Sequence, residues 1–194
     1  ALAVATRADL LILAGDLFHE NKPSRWTMKR AMELLEKYCL GDEPVALEFL
    51  SDPAEVFEQR DRPPNYMSPF HKVSLPVFII HGNHDDPTGV STAGSHELLS
   101  AIDVLHTANL VNYFGKVMDG SVIKLHPILL RKGLTKLALY GMGNVRDEKL
   151  YSTWAEEKNV SWTIPEEGID DWFSLFVLHQ NRETRGQTKA VSTQ

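Results

Sequence analysis

The sequence predicts an α/β fold in which short buried strands alternate with amphipathic helices. Three observations carry the prediction. Leu10 to Ala14, Val77 to His81, Lys136 to Gly141 and Phe173 to His179 are apolar runs bounded by polar residues or glycine, as strands buried on both faces are. Between them, apolar residues recur at helical spacings of three and four. Three polar strings follow directly on apolar runs: Gly15-Asp16-Leu17-Phe18-His19-Glu20-Asn21, Gly82-Asn83-His84-Asp85-Asp86 and His179-Gln180-Asn181. Strand ends deliver such strings to one cleft.

In chain order, the apolar, helix-like stretch from Ala1 to Ala8 runs at once into the first strand. A native start seldom begins in mid-element, and there is no initiator Met, so the chain is expected to be a piece of a longer protein. Trp26 to Leu40 predicts a helix with Met28, Ala31, Met32, Leu35 and Cys39 on one side and Ser24 as its N-cap. Gly41 to Lys72 holds seven acids, three bases and five prolines, contributes -4 of the net -6, and shows no sustained period outside Val45 to Leu50. A long loop is expected there, either a solvated insertion or a partner-docking segment. A second helix is predicted from about Ser95 to Ala108, striped by Leu98, Leu99, Ile102 and Leu105. Lys116 to Lys136 reads as strand or hairpin material around Pro127. Asp147 to Asp170 reads as a polar, helix-prone connection broken by Pro165.

The chain has 194 residues, 43% of them apolar and 24% charged. That length buries roughly 70% of the surface of the unfolded chain, so a single domain over 1–194 is expected. A net charge of -6 lacks the basic balance of an electrostatic nucleic-acid binder, although bound cations reverse the field locally. Cys39 is the only cysteine and is expected to be a buried helix thiol, which fits a reducing compartment. No apolar stretch approaches the roughly 20 residues of a membrane span.

The three strings suit hydrolysis of a phosphodiester. Two divalent cations about 3.5 to 4 Å apart lower the pKa of water and neutralise charge on phosphoryl oxygens. Asp16 offers a carboxylate able to bridge both ions, Asn83 a neutral carbonyl and His179 an imidazole nitrogen. This mixture suits manganese, iron or zinc, and the lack of thiolates argues against structural zinc. His84 is placed to act as general acid or transition-state stabiliser, and His19 to assist from the other side. Asp85 or Asp86 is a candidate to orient an imidazole. Taken singly, Asp16 reads more readily as a capping or turn residue and His179 as a core or edge histidine; the conjunction with Asn83 raises all three. His71, His96, His106 and His126 fit no such constellation and are read as surface or structural.

The extended strings Gly15 to Ser24, His81-Gly82-Asn83-His84-Asp85-Asp86-Pro87 and Leu178-His179-Gln180-Asn181 closely resemble the meiotic recombination eleven family of double-strand-break repair nucleases. These are the eukaryotic relatives of bacterial SbcD among the calcineurin-like metallophosphoesterases. Similarity also runs through Tyr38-Cys39, Asn112-Tyr113-Phe114-Gly115 and Ala138-Leu139-Tyr140-Gly141. The resemblance implies a sandwich of two sheets flanked by helices, incomplete here at both ends. It implies two manganese ions, with Asp16 bridging them, Asn83 and His179 as ligands, and His84 with His19 at the scissile phosphate. It further implies 3' to 5' exonuclease and endonuclease activity on DNA ends in the nucleus. A homodimer is implied through the helices at Trp26 to Leu40 and Ser95 to Ala108. The implied partners are an SMC-like ATPase and a nibrin-type subunit, the latter engaging the acidic insertion at about 41–72. The family's Asp-x-His before the first string and Gly-His-x-His after the third do not occur in this chain, and residues 182–194 depart from the family pattern. The expectation is a nuclease whose 194-residue piece, alone, is inactive. The alternatives are a non-catalytic dimerisation or partner-binding module, or another calcineurin-like phosphoesterase.

Overall fold

A computed structural model describes residues 1–57, 62–87, 99–117, 120–166 and 168–181. Its elements are α1 (Leu2–Ala5), β1 (Leu11–Ala14), α2 (Arg25–Cys39), β2 (Glu48–Phe49), α3 (Pro53–Val56), β3 (Val77–Ile80), α4 (Ala101–Thr107) and β4 (Asn112–Tyr113). After these come β5 (Ile123–Leu125), β6 (Ile128–Lys132), β7 (Thr135–Met142), α5 (Asp147–Tyr151) with a π-helical continuation (Ser152–Glu156), β8 (Val160–Trp162) and β9 (Trp172–Leu178).

Two sheets face each other, and the alternation of side chains along their strands builds three layers of core. The first sheet is parallel in the order β1-β3-β4; the second is mixed in the order β2-β6-β7-β9, with β7 and β9 parallel. Every residue of β3 is fully buried because the strand is central and covered on both faces. Its Val77 and Ile79 pack outward with Ile102, Leu105 and Cys39 under α2 and α4. Its Phe78 and Ile80 pack inward with Ile128, Leu130 and Leu139 of the second sheet. The same period of two sends Ala138, Tyr140 and Met142 of β7 to the opposite layer, against Ile123, Leu125 and Leu150. The fold is thus an α/β sandwich of two sheets flanked by helices, the architecture the resemblance implies.

α2 forms where its apolar stripe predicts, and the Ser24 side chain accepts the Thr27 N–H as its cap. α4 is shorter than the predicted Ser95 to Ala108. Ser100 and Asp103 form a reciprocal capping box that starts the helix at Ala101, leaving Leu99 exposed before it. His96 and Leu98, like residues 182–194, lie outside the described residues. The acidic stretch 41–72 is more than a solvated loop. β2 pairs antiparallel with β6, and Ser51 donates to the Pro127 carbonyl and accepts the Leu129 N–H. Phe57 enters the inter-sheet core, and Asn65 exchanges side-chain and backbone hydrogen bonds with buried Asn112. The connection from Asp147 to Asp170 contains a strand that sequence reasoning missed. β8 pairs parallel with β5 while showing two of its three residues to solvent, so it carries no apolar run.

Candidate metal centre

The parallel strands β1 and β3 of one sheet and β9 of the other end at a common rim. Gly143 N–H donates to the Gly115 carbonyl at 2.8 Å and Asn144 N–H to the His81 carbonyl at 3.3 Å, which closes the sheets onto each other there. All three polar strings emerge on this rim.

Glycine lets the strings approach. Gly15 has φ +94°, and a Cβ on it would lie 2.8 Å from the Gly82 backbone and closer still to the His179 ring. Asp16 itself sits at φ +52°, a left-handed conformation that Asp tolerates better than most residues. This turn points the Asp16 backbone N–H one way, toward Asp85, and frees its carboxylate for the rim.

Asp16, Asn83 and His179, the predicted ligands, are brought together. His179 Nε2 lies 3.1 Å from Asn83 Oδ1 and 3.4 Å from Asp16 Oδ2. The other ring nitrogen, Nδ1, lies 2.7 Å from the Ala14 carbonyl, which can only accept, so Nδ1 carries a proton and the neutral ring presents a lone pair at Nε2. In that neutral form a bare nitrogen faces two oxygens, an arrangement a cation among them relieves; in the imidazolium form Nε2–H donates to the same oxygens. Ligands about 2.1 Å from one cation and at right angles are about 3 Å apart, close to both observed spacings. The donor set therefore fits a divalent ion of oxygen and nitrogen preference. Asp16 and His179 keep 34% and 23% of their side-chain surface exposed, which leaves the site open to a substrate. Among the described residues no group of three His, Cys, Asp or Glu side chains gathers as a metal cage, so Asp16, Asn83 and His179 make up only part of a coordination shell.

His84 and His19, the predicted catalytic pair, are adjacent to these donors. The His84 N–H donates to Asp16 Oδ1 at 3.0 Å. Its ring Nδ1 lies 2.8 Å from the His19 carbonyl and therefore donates, leaving Nε2 to meet a substrate. The two imidazoles stack with centroids 4.9 Å apart and 19° between planes, so each limits the other's rotation.

Neither Asp85 nor Asp86 orients an imidazole, contrary to expectation. Asp85 is fully buried and accepts three backbone N–H groups, from Gly82 at 2.7 Å, Asp16 at 3.3 Å and Phe18 at 3.2 Å. It locks the first string to the second. Asp86 accepts from the Asn21 side chain at 3.5 Å. Backbone carbonyls of Ala14 and His19 orient the rings instead. His81 is buried with Nε2 lacking a hydrogen-bond partner among the described residues, and burial pushes its imidazole below the usual histidine range. His106 is structural, its Nδ1 lying 3.0 Å from the Val111 carbonyl.

Residues 1–192 match the calcineurin-like phosphoesterase family. Over 200 residues the chain is 48% identical to the double-strand break repair protein MRE11 of Arabidopsis thaliana, covering 99% of this chain and 27% of that protein. Over 194 residues it is 47% identical to the proteins of the same name from Mus musculus and Homo sapiens, covering all of this chain and 26% of each. The chain thus spans about a quarter of the length of these relatives.

Proposed function

The chain belongs to the calcineurin-like phosphoesterases, which use divalent metal ions, and from that premise we propose that it serves as nuclease machinery in DNA double-strand-break repair. The observation that carries the proposal is the meeting of Asp16, Asn83 and His179 from three strand ends, together with near-half identity along the whole chain to relatives named for break repair. The activity we propose for the whole protein is manganese-dependent 3' to 5' exonuclease and endonuclease cleavage of DNA, acting in the nucleus.

In this reading Asp16, Asn83 and His179 would hold the manganese ions. Bound ions supply Lewis acidity, neutralising phosphoryl charge and acidifying water. The chain's own residues do the rest. The Ala14 carbonyl fixes the Nδ1–H tautomer of His179 and so aims Nε2 at the other donors, and His84, held by the His19 carbonyl and ring, presents Nε2 toward the rim, where its imidazolium form would donate to the scissile phosphate or act as general acid. Asp85 fixes the spacing of the two strings on which these groups ride.

Among the described residues the site offers one carboxylate, one amide and one imidazole, too few for a tightly held pair. It therefore binds manganese weakly and does not cleave DNA by itself. That favours a second role for this segment in assembly. Trp26, Leu34 and Val104 are exposed on α2 and α4, where a homodimer would form, and the exposed acids Asp42, Glu43, Glu48, Asp52 and Glu55 would face a nibrin-type subunit. DNA ends and an SMC-like ATPase complete the proposed partners. Incubating the purified chain with manganese and a labelled duplex tests the proposal in two steps. The chain should leave the duplex intact, whereas the full-length protein should cut it and lose activity on His84→Asn. Cleavage by the full-length protein that survives His84→Asn counts against the assignment.

A further inference from the structure

We propose that Asp147 is a positioning residue for His179, acting through Gln180 and Asn181; the proposal rests on the reading of His179 as a metal donor. β9 ends at Leu178, so His179 stands just beyond the strand, where its N–H donates to the Met142 carbonyl of β7 at 3.4 Å. A residue so placed keeps backbone freedom unless its downstream neighbours are gripped. The grip comes from residues 144–147. Asp147 Oδ1 accepts the Gln180 side-chain amide at 2.6 Å and its Oδ2 accepts the Asn181 amide at 3.0 Å. Gln180 also donates to the Val145 carbonyl at 2.5 Å and accepts the Val145 N–H at 3.4 Å, and Asn144 donates to the His179 carbonyl at 3.2 Å.

One carboxylate thus holds two consecutive side chains directly downstream of the donor. Both bonds are charge-assisted, which makes them shorter and stronger than neutral ones. With 179–181 pinned on its outer side and the Ala14 carbonyl on its inner side, the imidazole has one position from which Nε2 reaches Asp16 and Asn83. Asp147 touches neither donor atom, so its effect on metal binding passes through His179.

The test is a manganese titration of the purified chain, free ion being counted by electron paramagnetic resonance, for wild type, Asp147→Ala, His179→Ala and the double variant. Asp147→Ala should weaken binding about 10- to 100-fold, the range for residues that orient metal ligands. The double variant should bind no more weakly than His179→Ala, because Asp147 has nothing to position once His179 is gone. Asp147→Asn, which keeps one acceptor and the shape, should fall between wild type and Asp147→Ala and covers the case in which the alanine variant does not fold. Wild-type affinity in both Asp147 variants overturns the proposal. So does an equal loss on adding Asp147→Ala to His179→Ala. If His179→Ala alone leaves affinity unchanged, the donor reading itself falls.

Discussion

Replacing Asp85 probes the joint between the first two strings most sharply. The carboxylate is fully buried, so water cannot take over its three N–H partners. Hydrogen bonds to a charged group contribute about 1.5–3 kcal/mol each, and a buried donor left unmade costs about 1–3 kcal/mol. Asp85→Asn retains one carbonyl for Gly82 and Asp16 but sets an amide N–H₂ against the Phe18 N–H, which lies 3.2 Å from Oδ2. One charge-assisted bond is lost and a donor faces a donor, for a loss of about 2–4 kcal/mol. Asp85→Ala strands all three N–H groups and should cost about 3–6 kcal/mol, after the relief of no longer burying a charge. Against a total stability of about 5–15 kcal/mol, the alanine variant approaches unfolding. Urea denaturation measures both. An Asp85→Asn variant within about 0.5 kcal/mol of wild type refutes the account, since that is the range of an idle surface substitution.

Gly82→Ala would place a Cβ 2.5 Å from the Asp16 backbone nitrogen, so Asp16 must move; manganese binding should be lost and stability should fall by about 1–3 kcal/mol in the same titration and denaturation assays. Burial raises the Tyr66 phenol to about 12 from 10.0, so the unfolded chain ionises first and stability, complete below pH 10, declines as pH rises from 10 to 12. Its hydroxyl has no hydrogen-bond partner among the described residues, so Tyr66→Phe should leave stability at pH 7 equal or higher and remove part of the alkaline loss seen by thermal melting. Ser100→Ala removes the acceptor for the Ile102 and Asp103 N–H groups and should lower stability by about 1 kcal/mol.

Elements written as continuous apolar runs were the legible ones. β1, β3, β7 and β9 lie within about two residues of their apolar runs, although only β3 is buried along its whole length, β1 and β9 keeping apolar residues half-exposed or exposed. β2 and β4, two residues each, are set by pairing with distant partners, Arg131 and Leu130 for one and Phe78 and Ile79 for the other, and carry no local pattern. At the rim, Asp16, Asn83 and His179 stood out because each follows an apolar strand. Asp85 and Asp147 were illegible in role. The first gathers N–H groups 67 to 69 residues away, and the second holds side chains 33 and 34 residues away. Such contacts exist only after the sheets have closed. The 41–72 strap misled through its prolines and acids, since Phe57 and Asn65, its anchors, are single residues in a polar string.

Crystals of the chain soaked in manganese and measured at an energy where the metal scatters anomalously address the central claim most directly. The account predicts an anomalous peak within coordination distance of Asp16, Asn83 and His179 Nε2, vanishing in crystals of His179→Ala. A peak elsewhere, or manganese bound without the His179 imidazole, would contradict it.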